Sequence, residues 1–294
     1  MGVKHHESQK QTRSKRYRLL FAKLWQNQSI RFSLLLLTPL TLIVILSPIL
    51  LPHDPTATHS ATYASPSLEF PLGTDNLGRD NLSRVLLGGR TTLFLGISAA
   101  SLALLLGVPI GLSAGYYGGR TDEFLMRVMD ILISIPTLLM ALLILIALEP
   151  SLVNVIVAVG IIYAPRVARV VRSSTLSVRN DEYVLAAKAR GESDLYIMSR
   201  EIFPNVLSTV VVEGSIRVGY AILVGTSLSF LGLGTQPPHP DWGYMIAIGR
   251  DHYWHSIHMI IWPAIAVGIT ILAFNLLGDG LRDVLDPKSG RSEK

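Results

Sequence analysis

Apolar residues along this chain gather into six runs, each long enough to cross a hydrocarbon core, which takes about 20 residues as a helix. They lie at 33–51, 91–114, 128–148, 152–171, 206–231 and 257–277. The pattern predicts an all-α, polytopic membrane protein with six transmembrane helices. Pro165 and Arg166 fall near the end of the fourth run, whereas the second holds no ionisable residue. The first run follows a basic N-terminus. It is longer than a secretory signal core, and no Ala-x-Ala site follows it, so it reads as an uncleaved first span.

Three polar stretches interrupt the apolar pattern. The first, 52–90, opens Pro-rich and continues "FPLGTDNLGRDNLSRVLLGGR". Leu82, Val85 and Leu86 recur at helical spacing, which predicts a short amphipathic helix on the membrane surface before the second span. The second carries Pro237 and Pro238, then Trp242, Tyr244, Tyr253 and Trp254, aromatic residues suited to a membrane interface. The third, "EYVLAAKARGESDLYIMSREIFPN" at 182–205, is charged and lies between two apolar runs. Its Ala-rich first half predicts a helix, with Gly191 at the left-handed position after it and Lys188 and Arg190 in the last turn. Ser193 or Asp194 can cap a second helix, on which Leu195, Met198 and Ile202 form a narrow apolar stripe. Pro204 is expected to end or kink that helix. The capped helices and the stripe exceed what a connector needs, so the unit reads as a docking element for a partner. A DNA-binding helix–turn–helix is hard to reconcile with spans on both sides.

Composition supports the membrane class. Charged residues make up 16%, against about 25% in soluble domains. Lys and Arg are unevenly placed: with the N-terminus inside, interior segments hold 21 and exterior ones four, with Arg217 inside a span. The interior 21 include Arg166. This bias places both termini and the 182–205 stretch in the cytoplasm. The expected organisation is a basic cytoplasmic segment 1–32 that touches anionic lipid, a first transmembrane helix 33–51, an extracytoplasmic segment 52–90, a transmembrane core 91–280 with a cytoplasmic loop 172–205, and a cytoplasmic tail 281–294. No nucleic-acid role is expected.

Several chemistries find no support. With no cysteine, disulfides and Cys-based metal or nucleophilic sites are excluded. There is no Gly-Lys pair, hence no P-loop, and no H-E-x-x-H. One G-x-S-x-G, "GLSAG" at 111–115, ends an apolar span, where small residues for close helix packing are the better reading of Ser113. Glu213 and Arg217 sit four apart in the fifth run. They read as a self-satisfied pair, or as a relay or substrate contact. His252, His255 and His258 spread over too wide an arc for a three-ligand face, so no metal site is assigned.

The 182–205 stretch resembles the coupling motif of ABC importer permeases, E-A-A-x3-G-x9-I-x-L-P. Ala186, Ala187, Gly191 and Pro204 match it. Leu185 stands at the glutamate, Glu201 at the isoleucine and Phe203 at the leucine. "LGTDNLGRDNLSRVLLGGR", "SFLGLGTQPPHPDWGYMI" and "FNLLGDGLRDVLDPK" are similar to blocks of the second permease subunit of dipeptide, oligopeptide and nickel importers, in the same order. The resemblance implies a type I ABC importer permease fold in the inner membrane of a prokaryote, without enzymatic activity of its own. It implies a homologous permease as heterodimer partner, two ATPase subunits that hold the ATP and Mg, and an extracytoplasmic solute-binding protein. No cofactor is expected on this chain. Leu185, Ala186, Ala187, Gly191 and Pro204 would meet the ATPase, and the two alanines would allow close approach. Gly73, Asp75, Arg79, Asp80, Pro237 and Trp242 would contact the binding protein or the partner permease. Alternatively, Gly73, Asp75, Arg79 and Asp80 form a structural knot. Di- or oligopeptides are the expected substrate. Nickel or a metal chelate, an ATP-independent secondary transporter and a membrane-embedded enzyme are the rival readings.

Overall fold

The computed structural model describes residues 23–285. Most of the predicted basic N-terminal segment and the end of the tail lie outside the described residues. Among those described, every regular element is helical, apart from one isolated bridge between Thr74 and Asp80. Helix α1 (Gln28–Leu50) begins at an Asn27 cap. Helix α2 (Asn81–Tyr117) is followed by α3 (Gly119–Ser134), α4 (Thr137–Ile146) and α5 (Leu152–Val178). Then come α6 (Glu182–Ala189), a single turn α7 (Asp194–Tyr196) and α8 (Phe203–Phe230). The last elements are α9 (Trp242–Asp251) and α10 (His258–Leu285).

The bundle centres on α2, α5 and α8, whose inward residues, among them Leu95, Ala99, Ala103, Val159, Val167, Ala221 and Leu228, form one buried cluster. The seam between α2 and α5 is built from small residues at i, i+4, i+8. A Cβ on Gly107 would lie 2.6 Å from Ala164 O, on Gly111 2.5 Å from Ala168 O, and on Gly115 2.5 Å from Thr175 Cβ. The two backbones therefore approach as closely as glycine allows. That settles the GLSAG stretch as packing, with Ser113 adding no hydrolase chemistry. Helices α1 and α10 turn most of their apolar residues outward, among them Leu35, Ile45, Ile49, Ile265 and Leu272. Such surface is stable against lipid.

Among the described residues, five helices are long and apolar enough to span a membrane, and a sixth span exists if the bent pair α3–α4 is counted as one. The predicted third span, 128–148, is thus not straight. Its chain turns by 90° between Ser134 and Thr137, where Pro136 is incompatible with an unbroken helix. Arg172 pairs with Asp122 of α3, and Arg169 with Asp130 at 2.5 Å, fastening α3 to α5.

Other boundaries move for physical reasons. The expected surface helix near 80–90 is instead the first turns of α2. Gly88 and Gly89 do not break it because Trp242 packs directly on them. The fourth span runs through Pro165 and Arg166 to Val178, and the last extends to Leu285, so Arg282 and Asp283 of the expected tail belong to α10. α7 joins α8 without a stop: Ile197–Ile202 forms a π-turn, and Pro204 lies in the first turn of α8. A wide turn tolerates the missing proline amide that would otherwise kink the helix.

Candidate functional site

The 182–205 stretch projects from one end of the bundle as a braced hairpin of helices. α6 closes in a Schellman motif: Gly191 (φ 76°) donates its N–H to Lys188 O at 3.0 Å, and Glu192 donates to Ala187 O at 3.2 Å. No atom lies within 4 Å of a Cβ placed on Gly191, so glycine is needed there for its left-handed backbone and not for space. Ser193 caps the next turn by accepting from Tyr196 N at 3.4 Å. Asp194 is not the cap; it accepts from the Tyr116 hydroxyl at the end of α2, at 2.7 Å. Lys188 lies over the Tyr116 ring, 4.8 Å from its centroid. Arg179 donates to Gly115 O at 3.1 Å.

Val184, Ala187, Ile197 and Ile202 of the hairpin are buried in the central cluster. The expected stripe is shifted: Leu195 is 73% exposed and Ile197 takes its inward place, because the π-turn changes the helical phase. Ala187 faces the core, so only Ala186 of the two matched alanines lies on the surface. Leu185 and Tyr196 are exposed near it, as is Pro204. Glu201 is half-buried and bridged to Arg190 at 3.5 Å. The exposed surface of the hairpin therefore sets Leu185 and Ala186 beside charged Lys188 and Arg190, while its base is tied to α2, α5 and α8.

At the opposite end, 52–80 folds over the start of α2. Asp75 accepts from Leu77 N and Arg79 N, and its other oxygen lies 2.6 Å from Arg79 Nε and 3.5 Å from Arg84 Nε. Asp80 caps α2 through Leu82 N and Ser83 N. Gly73 (φ 74°) turns where a Cβ would strike Ala64 O. Asp75, Arg79 and Asp80 are all buried. They hold this platform together and leave no side-chain surface for another protein. Trp242 is likewise buried and not interfacial: its indole donates to Val85 O at 2.8 Å. Pro237, Pro238 and Trp254 are exposed at the same end. His252 and His255 pack on Tyr63, whose hydroxyl is 3.1 Å from His252 Nδ1. No group of three metal-ligating side chains occurs among the described residues.

Asp241 caps α9 by accepting from Tyr244 N at 2.9 Å. Burial raises its carboxyl above the ordinary range, against the lowering effect of that amide. A raised folded value means the stabilising contribution is complete below the unfolded carboxylate range and is lost as pH rises through the folded value. Asp241→Asn keeps the cap and removes the charge. Thermal melts in detergent are expected to show it at least as stable as wild type at pH 8, with a weaker pH dependence. Asp241→Ala should cost about 1 kcal/mol through the lost cap.

A third cluster lies within the bundle and was only partly visible in the sequence. Glu213 and Arg217 pair at 2.6 Å, the self-satisfied arrangement. Arg217 also lies over the rings of Tyr163 and Tyr220, at 5.5 and 5.4 Å. Arg166 lies over the same Tyr163 ring at 5.5 Å and donates to Thr137 Oγ1 at 3.2 Å.

The architecture is a bundle of apolar helices with a braced hairpin at one end and a folded platform at the other. Residues 107–291 match the family described as binding-protein-dependent transport system inner membrane component, and the chain belongs to that family. It is 45% identical over 267 residues to a putative peptide transport system permease protein of Brucella abortus, covering 90% of each chain. It is 38% identical over 273 residues to the dipeptide transport system permease protein DppC of Alkalihalophilus pseudofirmus, covering 92% of this chain and 90% of that one. The glutathione transport system permease protein GsiD of Pectobacterium atrosepticum is 44% identical over 223 residues, 76% of this chain and 74% of its own. Among solved structures, an inward-facing MetNI methionine ABC transporter aligns with TM-score 0.57 and 17% identity, over 70% of this chain and 98% of that chain. The fold is that of an ABC importer permease, and the protein is a multi-pass inner membrane component.

Proposed function

We propose that this chain forms half of the transmembrane pathway of an ATP-driven importer of di- or oligopeptides. The observation that carries the reading is the braced hairpin that exposes Leu185 and Ala186, on a chain whose relatives are named as peptide permeases. The tip, formed by Leu185, Ala186 and Gly191 with Pro204 at its root, docks on a cytoplasmic ATPase subunit. Ala187 acts from the inside by seating α6 on the core. Leu185, where the family's motif has an acid, gives that contact an apolar character. ATP and Mg belong to the two ATPases. Both termini are cytoplasmic, in keeping with the Lys and Arg bias.

The opposite platform then faces outward. Gly73, Asp75, Arg79, Asp80 and Trp242 fix its shape, and the exposed Pro237 meets the solute-binding protein or a homologous permease that completes the pathway. Purified ATPases, both permeases and the binding protein, reconstituted in vesicles, provide the test. Peptide uptake is expected only with ATP and with the ATPases present. Full uptake without either identifies a secondary transporter, and uptake of nickel in place of peptide shifts the substrate.

A further inference from the structure

Arg166 is 14 residues from the start of α5 and 12 from its end, and Arg217 is 14 and 13 residues from the ends of α8. At 1.5 Å per residue, both lie about 20 Å from either helix end. Both therefore sit near the middle of helices long and apolar enough to span a membrane, where a cation is costly unless the charge meets water, protein or an opposite charge. Arg217 has Glu213. Among the described residues, none of the ion pairs involves Arg166; its polar partner is the Thr137 hydroxyl, and its other neighbour is the Tyr163 ring. The cluster thus carries one uncompensated positive charge.

It is not sealed. Tyr220 is 44% exposed, and Arg166 and Thr137 are partly exposed at the surface of the bundle. Lipid is a poor neighbour for a guanidinium and a phenol, so this face meets a polar pathway or another protein. One turn beyond Arg166, Val170 borders a cavity of about 320 Å³ shared with Ser208, Thr209, Glu213 and Arg282. A lining of mixed polarity, with Val212 and Leu285 beside these polar groups, thus leads away from the Glu213 end of the cluster. Both guanidiniums are held at 5.5 Å from one Tyr163 ring, a geometry that positions them without neutralising them. Thr137 opens α4, which adds the positive end of that helix beside Arg166. The broken span is what brings it there.

We infer that Arg166 is a way-station in the translocation path that binds the free carboxylate of a passing peptide. The inference rests on the peptide-importer reading and adds a substrate-contacting residue to it. Arg166 donates paired hydrogen bonds to the carboxylate, the exposed Tyr220 offers its ring and hydroxyl to the peptide, and the buried Tyr163 holds both guanidiniums in place while Arg217 stays with Glu213. With a charge at this depth otherwise unmatched, a carboxylate enters more readily than a neutral or cationic end.

The test uses the full complex in vesicles with loaded binding protein at saturation. Arg166→Gln is expected to lower peptide turnover about tenfold or more, while Arg166→Lys, which keeps the charge but loses the paired donors, should fall between Arg166→Gln and wild type. ATP hydrolysis stimulated by the binding protein should persist in both, and the partner permease should co-purify. Because the chain has no native cysteine, Arg166→Cys is a unique thiol on it. That thiol should react with a charged, membrane-impermeant reagent in the assembled transporter and be protected by transported peptide. Unchanged turnover in Arg166→Gln overturns the inference, as does an unreactive thiol beside a reactive Glu192→Cys control. Loss of the partner permease from Arg166→Gln also overturns it and identifies an interface ion pair. In all these cases ATP-driven uptake by wild type stands, whereas absence of that uptake removes the importer reading itself.

Discussion

Gly111→Val is expected to unseat α2 from α5 and to leave little folded protein. A Cβ at 111 would lie 2.5 Å from Ala168 O and 2.8 Å from Val171 Cβ. The first is backbone, so relief requires the helices to separate along the whole Gly107–Gly111–Gly115 seam. Overpacking in a tight core costs about 1–3 kcal/mol, and valine adds two further methyls to that clash. Gly111→Ala should already lower the melting temperature in detergent, and Gly111→Val should lower it further or abolish a monodisperse peak. Gly268→Ala is the matched control, since nothing lies within 4 Å of a Cβ there. It should be neutral or slightly stabilising. Equal melting of Gly111→Val and wild type would mean that the seam is not closed as described.

The seam also marks what the sequence makes legible. Hydropathy located the spans because each apolar run is longer than a soluble core helix requires, and local chemistry located the hairpin because Gly191 and Ser193 act within a few residues of themselves. Features that depend on distant partners were not legible. Trp242, 153 residues beyond Gly89, packs on Gly88 and Gly89, a contact that no local pattern announces. Windowed hydropathy averages across Pro136, so the break in the third span is hidden although the proline is in plain view. Counting charges placed Arg166 in an interior loop, because a cation near the end of an apolar run looks like its boundary. Only Tyr163 and Arg217, brought together by packing, reveal a charged cluster inside the bundle. At the outer platform, Asp75, Arg79 and Asp80 are polar and close in sequence, which fits a surface site as well as a buried knot. Within this chain Asp75 and Arg79 pair with each other and Asp80 caps α2, all three buried.

Gly191→Asp is expected to cut ATP-driven uptake by about tenfold or more while leaving the chain folded. The left-handed backbone at 191 disfavours a side chain by about 1 kcal/mol, and aspartate is among the residues that tolerate it best. The space around it is open within this chain, so the fold absorbs the change. The tip does not. A carboxylate beside Leu185 and Ala186 must lose its hydration when a partner covers it. Gly191→Asn has the same shape without the charge and should be less damaging. If Gly191→Asp imports peptide normally, the tip is not a docking surface.

That docking can be read directly. Ala186→Cys places a single thiol on the exposed side of α6 in a chain without other cysteines. A short thiol-to-amine reagent is then applied to the assembled transporter, with and without ATP. The account predicts a crosslink between residue 186 and an ATPase subunit, altered by ATP and sharply reduced when Gly191→Asp is added. A crosslink to the solute-binding protein, or none to the ATPases in a complex that still imports, would contradict it.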